Sequence, residues 1–221
     1  MSQWVSVCAK QILTHLLRCL LPVALISLAV GAMFAIQAYA LVNTFDIQRY
    51  LPIGLAPILV REIAPGFTCL IIAMLVGTSL SAEIATMRAS QEIETFWAIG
   101  VSPPVWILGT RIVAVSVLAP LLNALALACC TLGAYWIAVT LNHLPSTLFF
   151  SGLFHSFSVH DLYLSQSKCL FLGFLMGVIS ALFGYFSKTH VDGIRQAINR
   201  SVNLSITLVF TLNYLLDQIL C

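Results

Sequence analysis

The sequence predicts an all-α integral membrane protein with about five transmembrane helices, an N-terminal interfacial helix and a short water-exposed helix between spans two and three. The first observation is composition, because 60% of the 221 residues are hydrophobic and 8% are charged, with a mean hydropathy of +1.01. The second is that several apolar runs reach the roughly 20 residues that a span requires. A net charge of +2 is too small to indicate nucleic-acid binding.

The predicted helices follow in order along one chain. Residues 1–18 carry an apolar stripe beside the basic residues Lys10 and Arg18, which is typical of a helix lying in the membrane interface. No compact apolar core with a small-residue cleavage site is visible, so we expect this segment to stay attached. The predicted spans are 20–41, 54–80, 105–139, 168–187 and 201–220. No second domain is visible, and 1–221 is predicted to be a single domain.

Small residues within these runs predict close helix packing. Gly31 lies four residues after Ser27 in the first run, and Gly173 and Gly177 form a GxxxG step in the fourth. Gly77, at the end of the second run, belongs to the same group. We therefore expect helix contacts at these glycines.

Polar residues inside the runs are the first candidates for function. Gln37 lies in the first run, and Arg61-Glu62 in the second is either an interfacial ion pair or a functional element. The last run carries polar side chains on about half of its circumference: Asn203, Thr207, Thr211, Asn213, Tyr214 and Asp217. Such a face avoids lipid tails, and either a neighbouring helix or a solute explains it.

The segment 77–100 is a polar island between two long apolar runs. It carries four charged residues: Glu83, Arg88, Glu92 and Glu94. A charge at the bilayer centre costs about 2.5–3.5 kcal/mol, so this segment is expected in water, as a helix. Its apolar face follows i, i+3, i+4 spacing: Ile93, Phe96 and Trp97. Arg88 and Glu92 are expected to form an i, i+4 pair, and the segment is either a solvated loop or a docking element.

The distribution of lysine and arginine predicts the orientation. One side of the predicted topology carries seven of the ten basic residues: Lys10, Arg18, Arg88, Arg111, Lys188, Arg195 and Arg200. The other side carries Arg49, Arg61 and Lys168. The excess predicts a cytoplasmic N-terminus and, with an odd number of spans, termini on opposite sides.

Several kinds of chemistry are absent from the sequence. No phosphate-binding loop, H-E-x-x-H motif or G-x-S-x-G elbow occurs, so we predict no catalytic residue and no ATPase activity in this chain. His155, His160 and Asp161 lack a clear further ligand and predict a polar loop rather than a metal site. The seven cysteines include no CxxC pair and are expected to act as small hydrophobic residues.

Four ordered motifs carry a resemblance to a known family. They are Arg61–Pro65 (REIAP), Ala73–Gly77 (AMLVG), Ala82–Met87 (AEIATM) and Glu92–Pro103 (EIETFWAIGVSP). This pattern resembles MlaE/YrbE-type permeases, the membrane subunits of ABC systems that move lipids together with MCE-domain proteins. The similarity extends through 30–40 and 190–203, and many members have arginine where this chain has Leu75.

The resemblance implies a homodimer, a cytoplasmic ABC ATPase that binds ATP and Mg, an MCE-domain protein on the outer face, and a phospholipid substrate. No cofactor is implied for this chain itself, and the bacterial inner membrane or a plastid inner envelope is the implied location. The segment 81–100 would couple to the ATPase through Glu83, Arg88, Glu92, Ile93, Glu94, Phe96 and Trp97. The implied lipid path includes Gln37, Glu62, Leu75, Asn203, Thr207 and Thr211.

Two other classes of protein stay open from the residues alone. A proton-coupled secondary transporter would use ionisable groups such as Glu62 and Asp217, although no internal inverted repeat is apparent. A structural membrane subunit is the other alternative.

Overall fold

The computed structural model describes residues 2–44, 51–98, 100, 107–141, 145–156 and 158–220, and within these ranges it contains helices and no strand. The helices are α1 (Ser2–Thr44), α2 (Leu51–Ile58), α3 (Ala64–Ala89), α4 (Glu92–Ala98), α5 (Gly109–Thr140), α6 (Ser146–Ser156), α7 (Val159–Tyr185) and α8 (Val191–Leu220). A π-helical turn, Leu59–Ile63, joins α2 to α3. The predicted all-α architecture is confirmed.

Helix α3 lies at the centre of the bundle and contacts α1, α5, α7 and α8. The main core gathers large side chains of three of these helices, each less than 2% exposed: Leu80, Ile84, Leu118, Leu122 and Leu172. Gly77 is buried where α3 meets α7, and a Cβ there would lie 3.2 Å from the Ser180 hydroxyl oxygen. The bundle is therefore organised around the second apolar run of the sequence.

Four helical stretches of the described chain are long and apolar enough to cross a membrane: Cys8–Ala40, Ile53–Ala89, Gly109–Thr140 and Val159–Tyr185. They make this an integral membrane protein. Helix α8 has 30 residues and is long enough to span, but its polar side chains lower its hydropathy. A fifth span at 201–220 stays a prediction.

Helix α1 is continuous for 43 residues, whereas the sequence predicted an interfacial helix, 1–18, followed by a separate span. Nothing between Arg18 and Leu20 caps or breaks a helix, and Pro22 lies within the helix without ending it. At about 1.5 Å per residue the helix is roughly 65 Å long, about twice the hydrocarbon thickness. The helix must therefore tilt, or its N-terminal turns must extend beyond the hydrocarbon.

Helices α1 and α5 approach each other closely at two glycines. A Cβ on Gly31 would collide with the backbone of Cys130, and one on Gly133 would collide with the carbonyl of Leu28. The thiol of Cys130 donates a hydrogen bond to the Ser27 carbonyl at 3.0 Å. Gly133 is the partner that the small-residue pattern of the first run did not reveal.

The GxxxG step of α7 faces α5. A Cβ on Gly173 would lie 2.6 Å from the Cβ of Ala119, and one on Gly177 would lie 3.3 Å from the Cα of Ile112. Larger residues at either position would push the two helices apart.

The polar island is two helices rather than the one that the sequence predicted. Helix α3 continues to Ala89, and α4 begins at Glu92 after a turn in which Gln91 has φ of 59°. The Ser90 hydroxyl donates to a Glu92 carboxylate oxygen at 3.0 Å. Because this turn interrupts the helix, the predicted i, i+4 arrangement of Arg88 and Glu92 is wrong.

Candidate functional site

A groove lies between α8 and the first turns of α3. Two adjoining cavities of about 140 and 490 Å³ form it, and Glu62, Phe210 and Asn213 line both. The remaining lining residues are Ile63, Gly66, Phe67, Leu70, Val209, Tyr214, Asp217 and Gln218. We call this the polar groove.

Pro65 explains the backbone that presents Glu62 to the groove. Proline has no N–H to donate to the carbonyl of Arg61, four residues earlier, so a regular α-helical bond is lost there. The chain widens into the π-helical turn, in which the Ala64 N–H donates to the Leu59 carbonyl. Such turns often occur at functional sites, and here Ile63 is buried while Glu62 is exposed.

A cluster of four charged side chains flanks the groove. Arg61 donates to one Asp161 carboxylate oxygen from Nε at 3.0 Å and from Nη2 at 2.7 Å. The Lys168 ammonium donates to the Asp217 carboxylate and lies 3.5 Å from the Arg61 carbonyl oxygen. Asp161 and Lys168 have side chains that are 5% and 3% exposed. The charge cluster thus joins the π-helical turn, α7 and α8.

The groove has a polar end and an apolar wall. Asn213 Oδ1 is buried and has no hydrogen-bond partner within the described residues. Gly66 leaves room for this amide, because a Cβ there would lie 3.4 Å from Asn213 Nδ2. With Glu62 nearby, the groove offers acceptors for a donor group, while Phe67 and Phe210 provide apolar surface. Its chemistry suits an amphiphilic molecule.

The other residues of the predicted lipid path do not line the groove. Gln37 is exposed on α1, and Leu75 is half-buried against the main core. Asn203, Thr207 and Thr211 are exposed on α8, where Thr207 donates to the Asn203 carbonyl and Thr211 to the Thr207 carbonyl, both at 2.9 Å. These backbone bonds lower the cost of placing the hydroxyls beside lipid or another chain.

Lys168 and Asp161 were missed as members of the site. In the sequence, Lys168 marks the start of the fourth predicted run, and Asp161 stands near two histidines as a candidate metal ligand. The sequence signal that could have grouped them is their seven-residue separation, because residues seven apart lie on the same face of a helix. Their partners, Arg61 and Asp217, are distant in sequence.

At the other end of α3, two charged residues of the predicted coupling segment bind within the bundle. Glu83 accepts a bond from Arg111 Nη2 at 2.6 Å, and Arg111 Nη1 donates to the Ile107 carbonyl at 3.0 Å. Arg88 Nη1 donates to the Tyr185 carbonyl, and its guanidinium carbon lies 5.5 Å from the Tyr185 ring centroid. Tyr185 ends α7, where carbonyls lack helical partners and cations are favourable.

The residues of the predicted apolar face on α4 do not share one environment. Ile93 is 5% exposed and belongs to the main core, whereas Phe96 is 36% exposed. Glu92 and Glu94 are exposed beside it. The side chain of Trp97 lies outside the described residues. Among the described side chains, the surface that α4 offers to a partner therefore consists of two carboxylates and the ring of Phe96.

The comparisons with known proteins identify the family. The model of the permease MlaE family matches residues 8–219. A probable ABC transporter permease protein of Rickettsia typhi is 26% identical over 194 residues, which cover 88% of this chain and 75% of that protein. A probable ABC transporter permease protein of Synechocystis is 29% identical over 126 residues, covering 57% and 46%. The protein ycf63 of Pyropia yezoensis, also named a probable ABC transporter permease, is 26% identical over 134 residues, covering 61% and 51%. Because the family match spans α1 to α8, the chain belongs to the MlaE permease family.

Proposed function

We propose that this chain is the lipid-conducting permease subunit of an ABC transporter. It works as a homodimer with a cytoplasmic ATPase, which binds ATP and Mg, and with an MCE-domain protein on the outer face, in a bacterial inner membrane or a plastid inner envelope. Family membership and the names of its relatives support the ABC assignment. The polar groove is the observation that carries the lipid assignment.

The chemistry of the groove favours a phospholipid as substrate. Glu62 and the unpartnered Asn213 Oδ1 accept hydrogen bonds, which suits a headgroup bearing ammonium or hydroxyl donors. Phe67, Leu70 and Phe210 give the acyl chains an apolar wall. A molecule with both parts fits the groove better than an ion or a fully polar solute.

A homodimer accounts for the open side of α8. Phe210 and Tyr214 border the groove and are 59% and 62% exposed. Asn203 and Thr211 extend the exposed polar stripe along the same helix. A second copy would shield this surface from acyl chains and enclose the lipid between two α8 helices.

The contacts of α4 provide a route for coupling. Glu92, Glu94 and Phe96 would face the ATPase, while Ile93 fixes α4 to the main core. Glu83 of α3 forms an ion pair with Arg111 of α5. Arg88, near the end of α3, donates a hydrogen bond to the carbonyl of Tyr185 at the end of α7. Movement of α4 would therefore be transmitted to three long helices.

The test is purification of the assembly from native membranes, followed by identification of subunits and lipids. An ATPase with a phosphate-binding loop, an MCE-domain protein and a bound phospholipid are expected. A photoreactive residue at Phe210 should capture phospholipid, whereas one at Leu132, similarly exposed at 57% on α5, gives the background. Equal capture at both positions would contradict the groove assignment.

The exposed carboxylate of Glu62 favours one other function, proton-coupled secondary transport. That alternative predicts proton-dependent flux through the isolated chain without ATP. It also predicts that no ATPase accompanies the chain through purification.

A further inference from the structure

A second pocket lies between α1 and the last turns of α3. Its volume is about 510 Å³, and its lining includes Lys10, His15 and Arg18 of α1 with Ser79 and Glu83 of α3. On α3, Ser79 lies nine residues after Leu70 of the polar groove, which corresponds to about 14 Å along the helix. This α1–α3 pocket is therefore a separate place in the molecule.

The α1–α3 pocket has an excess of positive charge. Neither Lys10 nor Arg18 forms a salt bridge within the part of the chain that the structure describes. The carboxylate of Glu83 is engaged by Arg111 at 2.6 Å, so it offsets that arginine rather than the two α1 cations. Two basic side chains directed at one cavity favour an anion.

A neutral acceptor lies beside these cations. Gln11 lines the same pocket, and its Oε1 is buried without a hydrogen-bond partner among the described residues. A ligand that places a hydroxyl here would satisfy this atom. The pocket therefore suits a phosphate that carries a hydroxylated group.

The apolar surface next to the pocket indicates how such a ligand would be anchored. At 100° per residue, Leu21 and Leu25 lie on the face of α1 that carries Lys10 and Arg18. They are 65% and 61% exposed and continue from the pocket along the helix. A basic pocket followed by an apolar helix face matches a phospholipid, whose acyl chains would lie along these leucines.

We propose that the α1–α3 pocket binds the headgroup of an anionic phospholipid of the phosphatidylglycerol class. Lys10 and Arg18 hold the phosphate, Gln11 accepts from a headgroup hydroxyl, and the acyl chains lie along Leu21 and Leu25. The bound lipid would hold the N-terminal turns of α1 against α3. It is a resident lipid, distinct from the molecule that the polar groove conducts.

The test uses photoreactive phosphatidylglycerol in phosphatidylcholine nanodiscs that contain the full-length protein in its native complex, without ATP. Adducts are expected on the peptide that covers residues 10–25. Replacing both cations, Lys10→Gln with Arg18→Gln, should lower this yield roughly thirtyfold, since each basic group near a membrane surface contributes a factor of about five to six. Arg18→Lys alone should retain most of it.

The matched control removes two charges elsewhere. Lys188 and Arg200 line another pocket, and Lys188→Gln with Arg200→Gln should leave the α1 adduct unchanged. Millimolar inorganic phosphate should not compete. Equal adduct yield from wild type and the Lys10/Arg18 variant would overturn the proposal, and so would displacement by inorganic phosphate, which would indicate a soluble anion. Because ATP is absent, the result does not depend on transport.

Discussion

Lys168 and Asp217 illustrate how single residues define the candidate site. The lysine side chain is 3% exposed and its ammonium donates to the Asp217 carboxylate and lies near the Arg61 carbonyl. A buried charge that loses its partner costs several kcal/mol, whereas replacing both partners by apolar groups is often tolerated. The pair is therefore expected to hold α7 against α8.

Lys168→Met should destabilise the protein by about 3 kcal/mol, because it leaves the Asp217 carboxylate uncompensated. The double variant Lys168→Met with Asp217→Leu should recover most of that loss. Reversible unfolding in mixed micelles measures both, as a double-mutant cycle. Additive losses in the double variant would show that the two side chains do not interact.

Arg88 is tied to the bundle more firmly than its sequence context suggests. From the sequence, reversal to glutamate would be expected to leave folding nearly intact. The guanidinium, however, donates to the carbonyl that ends α7 and covers the Tyr185 ring. Arg88→Gln should therefore cost about 1 kcal/mol of unfolding free energy. Unchanged stability in the same unfolding assay would show that Arg88 does not stabilise the end of α7.

Between whole helices, α1 and α5 form a close contact in which their backbones meet at Gly31 and Gly133. Gly133→Ala should cost about 1–3 kcal/mol, because its Cβ would collide with the Leu28 carbonyl. Gly54→Ala is the matched control, since a Cβ there meets nothing within 4 Å, and it should be neutral or slightly stabilising. Thermal unfolding of both variants measures this, and equal midpoints would contradict the close packing.

Helix α4 presents its charges outward, which separates partner binding from folding. Glu92→Lys with Glu94→Lys should cost only about 1 kcal/mol of unfolding free energy, from the lost Ser90–Glu92 bond and the reversed charges in the first turn of α4. The same change should weaken ATPase association at least tenfold, as expected when partner-facing charges are reversed. Asp192→Lys, an exposed carboxylate on α8, is the control. Affinity is read by titrating the purified ATPase. Loss of affinity in the Asp192 variant alone would place the docking surface on α8.

The sequence predicted the existence of the long helices more accurately than the residues at which they begin and end. Apolar runs and small residues identified the long helices, because hydrophobic length and close packing are local properties of the chain. The break at Gln91 was missed because a left-handed backbone at a non-glycine residue has little sequence signal. The opposite error occurred near Arg18, where a change in polarity predicted a boundary inside a continuous helix.

At the scale of the whole molecule, the site depends on contacts that sequence spacing does not contain. Arg61 and Asp161 are 100 residues apart, and Lys168 and Asp217 are 49 apart. Glu62 was identified because a charge within an apolar run is unusual. Its neighbours in the groove, Phe210 and Asn213, lie on α8, and their proximity depends on the packing of α8 against α3. Family membership then relates this geometry to transport.

The variant Asn213→Leu tests whether the polar groove conducts lipid, as proposed above. Asn213 Oδ1 is buried without a partner in the described chain, so its removal should maintain or raise stability. The same change removes the proposed headgroup acceptor. ATP-dependent phospholipid transfer by the reconstituted complex should therefore fall about tenfold, as expected for loss of one or two hydrogen bonds. Transfer at the wild-type rate by a stably folded Asn213→Leu complex would contradict lipid passage through the polar groove.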